Sequence, residues 1–269
     1  MLYSFSTKVK KFIQSKDGET DMIKKKLVVL SGKGGVGKST VAVNIAAGLA
    51  DSGFKVGLLD IDLHGPNVPR MLGLVGRNLE VNDNEKIVPV SISENFKVVS
   101  IAFLTMGNRP IIWRGPLKHK MIQEFVEKVE WGDLDFLVID SPPGTGDEIL
   151  STFQLLKKID GTVLVSTPQQ VSIDDVERAR EFVKLMNSKI LGVILNMTYV
   201  VCPKCGEKIP LFPRKNIPED LPVLVEFPMD PKVAESIDNG EPVVWFMRNS
   251  EVEKRFRELI NKILELLEN

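Results

Sequence analysis

Eight residues, "GKGGVGKS" at 32–39, constrain this chain more than any other stretch. They follow a short β-rich run, "KLVVLS" (26–31), and lead into a segment with helical spacing over 38–51. Strand, glycine-rich loop and helix in that order are the setting in which G-x-x-x-x-G-K-[ST] holds a phosphate. The chemistry requires these residue types. Glycines let backbone N–H groups close around phosphate oxygens with no Cβ in the way. The helix N-terminus adds the positive end of its dipole. Gly32, Gly34, Gly35, Val36 and Gly37 are therefore the expected cradle. Lys38 is expected to reach the β- and γ-phosphates, Ser39 to ligate Mg²⁺ and Thr40 to contact the α-phosphate.

The rest of the chain repeats the same alternation. Strand-like runs occur at 55–60, 97–102, 135–140, 161–167, 190–196 and 222–228, with helical segments at 117–129 and 172–186 between some of them. Strands alternating with helices imply right-handed crossovers and a doubly wound α/β fold, with a mostly parallel sheet covered on both faces. The strands read as continuous apolar runs, as doubly buried strands should. Ser172 is an expected N-cap, and Asp230 before Pro231 an N-cap and N1 pair. Ser250 with Glu253 has capping-box spacing. Residues 61–95, rich in Gly, Pro and Asn, read as functional loops.

Three acids end strands. In "LLDIDLHGPN" (58–67), Asp60 and Asp62 fall on one side of an extended run, at the carboxyl edge where ligands bind. In "LVIDSPPGTGD" (137–147), Asp140 ends a buried strand, as the acid that supports Mg²⁺ through water does. Gly144 is a candidate N–H donor to the γ-phosphate, and Asp147 either joins this site or caps a helix. No N-K-x-D stretch occurs, which favours ATP over GTP.

Lys33 stands directly after the first motif glycine, too early to duplicate Lys38 within one chain. Here the sequence resembles the deviant P-loop ATPases typified by cell-division and partition ATPases. That resemblance implies a homodimer in which Lys33 crosses to the partner's nucleotide and steadies charge on the transferred phosphoryl group. It also implies that Asp62 positions the attacking water while Asp60 supports the metal shell. Asn196 resembles the asparagine of the class that reads the base, and "FPMDP" (227–231), with Pro228 and Asp230, the loop that closes over adenine.

Further stretches narrow the resemblance: "DIDLHGPNVPRMLGL", "IWRGP", "IDSPPGTGDE", "VSTPQQVSIDDVERA" and "NMTYVVCPKCG". Together they resemble the Mrp/Nbp35/ApbC family of iron–sulfur cluster carrier ATPases, from about residue 24 to about 248. Some members of that family carry an N-terminal four-cysteine segment; residues 1–22 here contain no cysteine. These residues read as a polar extension, with Phe5, Val9, Phe12 and Ile13 spaced as one helical face. The ATPase domain is expected over 23–269, with an insertion at about 197–221.

That insertion holds "CPKCG", with Cys202 and Cys205 the two cysteines of the chain. Three readings compete. A zinc knuckle needs four ligands, and the two histidines, His64 and His119, do not sit at knuckle spacing. A redox pair of the thioredoxin kind opens a helix. In the third reading the pair is a half-site, and two copies supply the four thiolates of one [4Fe–4S] cluster. The family resemblance implies the third, with apo iron–sulfur proteins as recipients.

Composition sets outer bounds. A net charge of −1, from 35 basic and 36 acidic residues, creates no global basic field for nucleic acid. No apolar run approaches a membrane span, and the N-terminus lacks the pattern of a secretory signal, so the cytoplasm is the expected compartment. The tail, 250–269, places Val252, Phe256, Leu259, Ile260, Ile263 and Leu267 on one face. Residues 250–269 carry four basic and five acidic residues, so docking on the core or on a partner is expected rather than on a membrane. The alternative class is a partition or cell-division ATPase acting on DNA or membrane surfaces, in which the cysteines have no role.

Overall fold

Parallel pairing organises the chain. It runs β1 (Ile23–Leu30), α1 (Lys38–Asp51), β2 (Val56–Asp60), α2 (Val68–Met71), β3 (Glu80–Val81), β4 (Ile87–Val88), β5 (Val90–Ser93) and β6 (Phe96–Ser100). It continues through α3 (Gly115–Glu127), β7 (Leu134–Asp140), α4 (Asp147–Leu156), β8 (Gly161–Ser166), α5 (Gln170–Leu185) and β9 (Ile190–Leu195). The last elements are β10 (Tyr199–Val201), β11 (Lys208–Pro210), β12 (Val223–Glu226), α6 (Pro231–Asp238), α7 (Val243–Phe246) and α8 (Glu251–Glu268). This computed structural model describes residues 23–63, 65, 67–104, 115–213 and 217–268. The expected face of Phe5, Val9, Phe12 and Ile13, His64 and most of "IWRGP" lie outside the described residues.

Eight strands form one sheet in the order β12–β9–β8–β1–β7–β2–β6–β5. All neighbours pair in parallel except β5 and β6 at one edge. From β1 the chain moves outward to β2 and β6, returns to place β7 between β1 and β2, then crosses to β8 on the other side. Ligands of open α/β sheets bind beyond the carboxyl ends of the strands at such a reversal. Side-chain alternation splits the sheet's apolar residues between two cores. Leu27, Val29, Leu58 and Val138 pack with α1, α7 and α8. Val28, Leu30, Leu59 and Ile139 pack with α3, α4 and α5.

The helix starts refine the expected caps. Asp230 does cap α6, its carboxylate accepting from the Lys232 N–H at 2.9 Å. Ser172 lies inside α5 instead, whose N-cap is Gln169, and its hydroxyl bonds to that of Thr167 at 2.8 Å. Only half of the capping box forms: Ser250 Oγ accepts from the Glu253 N–H at 3.1 Å. The Glu253 carboxylate turns to Arg257, and the Ser250 N–H donates to the Met247 carbonyl. Asp147 is the first residue of α4, after the N-cap Gly146, and adds negative charge to its first turn.

Of the two expected docking places for the tail, the core or a partner, the structure shows the core. Val252, Phe256, Leu259, Ile260, Ile263 and Leu267 are all buried. α8 lies so close to α1 that a Cβ on Gly48 would sit 2.3 Å from Ile260 Cδ1. Among the described residues no helix is long and apolar enough to cross a membrane. Leu259→Ala should cost about 3 kcal/mol by leaving a cavity at the α1–α8 seam. Thermal unfolding should show Tm falling by roughly 5–10 °C.

Candidate functional site

The parallel register builds the site. Across β2 and β7, Asp60 pairs with Asp140; across β1 and β7, Val29 pairs with Asp140. The ends of three adjacent strands therefore meet where the glycine loop leaves β1. Lys38, in the first turn of α1, points its amine into that group. Its Nζ lies 2.6 Å from Asp140 Oδ1, 3.4 Å from Asp62 Oδ2 and 3.4 Å from Ser39 Oγ. Asp60 is fully buried and accepts from the Ser100 hydroxyl at 2.6 Å and from the Asp62 N–H at 3.1 Å. Asp60 thus steadies Asp62, which lies beyond the strand and reaches Lys38.

Burial and crowding set the protonation. Burial, then the neighbouring Asp140, push the Asp60 carboxyl up to about 8, against the Ser100 hydroxyl and Lys38. Burial also raises Asp140, opposed by Lys38. For Lys38, burial works against the charge, but Asp140 and Asp62 outweigh it and hold the amine above its ordinary value. Three carboxyl groups thus crowd one ammonium: Asp60 is mostly protonated near neutral pH, and Lys38 alone faces both Asp62 and Asp140, an arrangement short of positive charge.

Mg²⁺ fits that shortage. Asp140 Oδ2 is buried with no hydrogen-bond partner, an acceptor left over beside Ser39 and Lys38. Among the described residues no three His, Cys, Asp or Glu side chains converge as a metal cage. This suits an ion that keeps its waters and takes most of its other ligands from a nucleotide. Ser39 would hold it directly and Asp140 from the outer shell.

Two adjoining spaces have the size and lining for a nucleotide. The first, about 310 Å³, is lined by Lys33, Gly35, Gly37, Lys38, Ser39 and Thr40, among others. The second, about 460 Å³, shares Gly37 and Thr40 and extends between Asn196, Val200, Pro228 and Phe256. Its walls are apolar and suit the flat face of a purine. Asn196 joins the two spaces, its Nδ2 donating to the Val36 carbonyl at 2.9 Å. Gly37 has φ +89°, and a Cβ there would lie 2.2 Å from Asn196 Nδ2. Asp230, whose carboxylate caps α6, lines this space together with Pro228 and Met229.

Other expected groups take positions of their own. Lys33 is outside the Lys38 cluster; its Nζ lies on the surface, 3.5 Å from Gln169 Oε1. The Gly144 N–H donates to the Ser31 carbonyl at 2.8 Å, so the phosphate-sensing role expected of it requires that bond to open. Sequence reading missed Ser100, Ser31 and Gln169. A serine ending β6 beside Asp60 is the signal that would have found the first.

The cysteines sit at the tip of the antiparallel β10–β11 hairpin. Its turn is closed by the Cys202 N–H to the Glu207 carbonyl at 2.8 Å and the Gly206 N–H to the Cys202 carbonyl at 2.9 Å. Both thiols are free, and Cys205 is exposed. Hydrogen bonds from the Cys205 and Lys204 N–H groups, then from the Cys205 side chain, lower the Cys202 thiol below its usual value. That favours a metal-binding thiolate. A hairpin turn is not the helix start that a thioredoxin-like pair requires. Nor, among the described residues, does another His, Asp or Glu join the pair. His119 lies on α3, bonded to Ser151 Oγ at 2.9 Å.

Sheet, loop and strand-end acids together define a P-loop nucleotide-binding protein of the doubly wound α/β class. The family model described as ParA, NUBPL iron-transfer P-loop NTPase, matches residues 22–264, and the chain belongs to that family. The iron–sulfur cluster carrier protein of Saccharolobus solfataricus is 43% identical, over 97% of this chain and 92% of its own. A Dictyostelium discoideum homolog of the cytosolic Fe–S cluster assembly factor NUBP2 is 46% identical, over 82% of this chain and 86% of its own. Among solved structures, a nucleotide-binding protein from Archaeoglobus fulgidus in complex with ADP superposes with a TM-score of 0.73 at 35% identity, covering 90% of this chain and 95% of that one.

Gly37→Ala tests the cradle. Left-handed backbone strain of about 1–3 kcal/mol and the collision with Asn196 should weaken ATP binding by about ten-fold or more in calorimetry.

Proposed function

We propose that this protein is an ATP-hydrolysing iron–sulfur cluster carrier that works as a homodimer. The observation that carries the reading is the exposed, free Cys202–Cys205 turn, borne on a hairpin that rises directly from the nucleotide cleft. Two thiolates are half of a [4Fe–4S] ligand set. A second copy, related by a two-fold axis, supplies the other half. The cluster is cargo, shared and partly exposed, and passes to apo-proteins. The names of the relatives support this reading, and the Archaeoglobus neighbour with ADP supports the nucleotide.

On the nucleotide side, the loop N–H groups and Lys38 hold the phosphates. Bound Mg²⁺ would neutralise charge on the phosphates. Asp62 orients the attacking water, steadied by Asp60. Lys33, surface-exposed, reaches the partner's nucleotide. A γ-phosphate draws the Gly144 N–H from the Ser31 carbonyl, so its loss on hydrolysis releases the loop after β7. The protein works in the cytoplasm, on neither DNA nor a membrane surface.

Anaerobic reconstitution with iron and sulfide tests the carrier reading. About four irons per dimer are expected, and none in Cys202→Ala, since one cluster needs all four thiolates. Stoichiometric zinc, or no metal, would overturn it. In parallel, Lys33→Ala should leave ATP binding intact and slow hydrolysis by on the order of a hundred-fold, the effect of losing a trans-acting cation.

A further inference from the structure

The base cleft and the cysteine hairpin share two walls. β10 presents Val200 to the cleft, and the first turns of α8 present Val252 and Phe256 to it. The residues beside these face away from the cleft and meet each other. Glu251 Oε1 accepts from Lys208 Nζ at 2.7 Å and from the Tyr199 hydroxyl at 3.0 Å. Lys208 Nζ also donates to the Tyr199 hydroxyl at 3.4 Å and stands 4.8 Å from the ring centroid. Tyr199 precedes Cys202 by three residues, and Lys208 follows Cys205 by three. Both roots of the cysteine turn therefore close on one carboxylate oxygen of α8.

The same hairpin is bonded to the loop over the base. The Met229 N–H donates to the Tyr199 carbonyl at 2.8 Å, and the Thr198 N–H and hydroxyl both donate to the Phe227 carbonyl at 3.0 Å. On the far side, Asn196, six residues before Cys202, holds the glycine loop through Val36. The hairpin is thus fixed to the glycine loop, the base loop and α8 within a short length of chain.

The Glu251 junction is not needed to hold α8 in place, because the helix's apolar face does that. Hydrogen bonds to Lys208 and Tyr199, against some burial, keep Glu251 below the usual carboxylate range, and the bond to Glu251 keeps Lys208 above its own. Exposed pairs of this kind add little to global stability, so geometry is their contribution.

We infer that Glu251, with Tyr199 and Lys208, is a positioning clamp that makes the setting of the Cys202–Cys205 turn follow occupancy of the base cleft. A base seated between Val200 and Phe256 fixes the gap between β10 and α8. The clamp, on the outside of the same two elements, prevents the hairpin roots from relaxing independently, so the change in gap reaches the thiols. The inference rests on the nucleotide reading above and gives it a route from base to cluster site.

Because the chain has two cysteines, alkylation reads this turn alone. The experiment takes the full-length, metal-free protein and follows iodoacetamide labelling by mass spectrometry, with and without a non-hydrolysable ATP analogue. In the wild type the analogue should change the labelling rate by about five-fold, the lower end of ordinary site–site coupling. In Glu251→Gln and in Tyr199→Phe the ratio should fall to about one while the analogue's Kd is unchanged, because coupling, not binding, is lost. Lys208→Arg, which keeps the cation, should retain the effect. Tyr199→Phe serves alone if Glu251→Gln does not fold. A wild-type ratio of one, or an undiminished ratio in both clamp variants, overturns the clamp. Iron loading of the same wild-type protein is read separately: loading with an intact ratio in the variants sinks the clamp and spares the carrier, and the reverse result does the opposite.

Discussion

The buried contact between Lys38 and Asp140, 2.6 Å long, is the interaction on which the site depends. An ammonium and a carboxylate withdrawn from water are costly unless paired, and removing either partner strands the other. The pair is possible because the loop carrying Lys38 leaves β1 beside the end of β7, and β1 and β7 are parallel neighbours in fixed register. Asp62 then adds a second carboxylate beside the single lysine, 3.4 Å from its Nζ, while the buried Asp60 carboxyl, raised to about 8, is mostly protonated near neutral pH. Lys38 is therefore one positive charge among three crowded carboxyl groups, and a bound cation would add to it. The orphaned Asp140 Oδ2 is the acceptor left over beside it.

The same strand ends explain why the base cleft lies next to the cysteines. β9 ends at Leu195, Asn196 turns in to hold the glycine loop, and the chain is already in β10 three residues later. The bond from Asn196 to Val36 ties the phosphate loop to the chain six residues before the cysteine turn. Phe227 and Met229, backbone partners of β10, belong to the loop beside the base, and α8 seals the other wall. Two functions that read as separate motifs in the sequence are packed on common backbone.

Legibility varied with the origin of each feature. The cradle was legible because its chemistry is local: glycines, a lysine and a hydroxyl at fixed spacing between strand and helix. The long strands and helices were legible because burial imposes periodicity over many residues. β5, the β3–β4 hairpin and the β10–β11 hairpin were not, since strands of two to four residues carry no period. Ser172 misled as a cap because α5 begins two residues earlier, at Gln170 after the N-cap Gln169, and the Ser172 hydroxyl is taken by Thr167.

By itself the sequence determined that the chain holds a phosphate loop on a parallel α/β sheet, that acids gather at the strand ends, and that two cysteines sit three positions apart. These follow from residue type, spacing and alternation, which short-range sterics and burial enforce. Tertiary structure alone decided that Asp60 is held by Ser100, that Asn196 latches the glycine loop, and that one carboxylate of the tail closes on both roots of the cysteine hairpin. Each of those contacts joins residues 40 or more positions apart. Which distant groups meet is set by strand order and helix docking, which bring together residues that lie far apart along the chain.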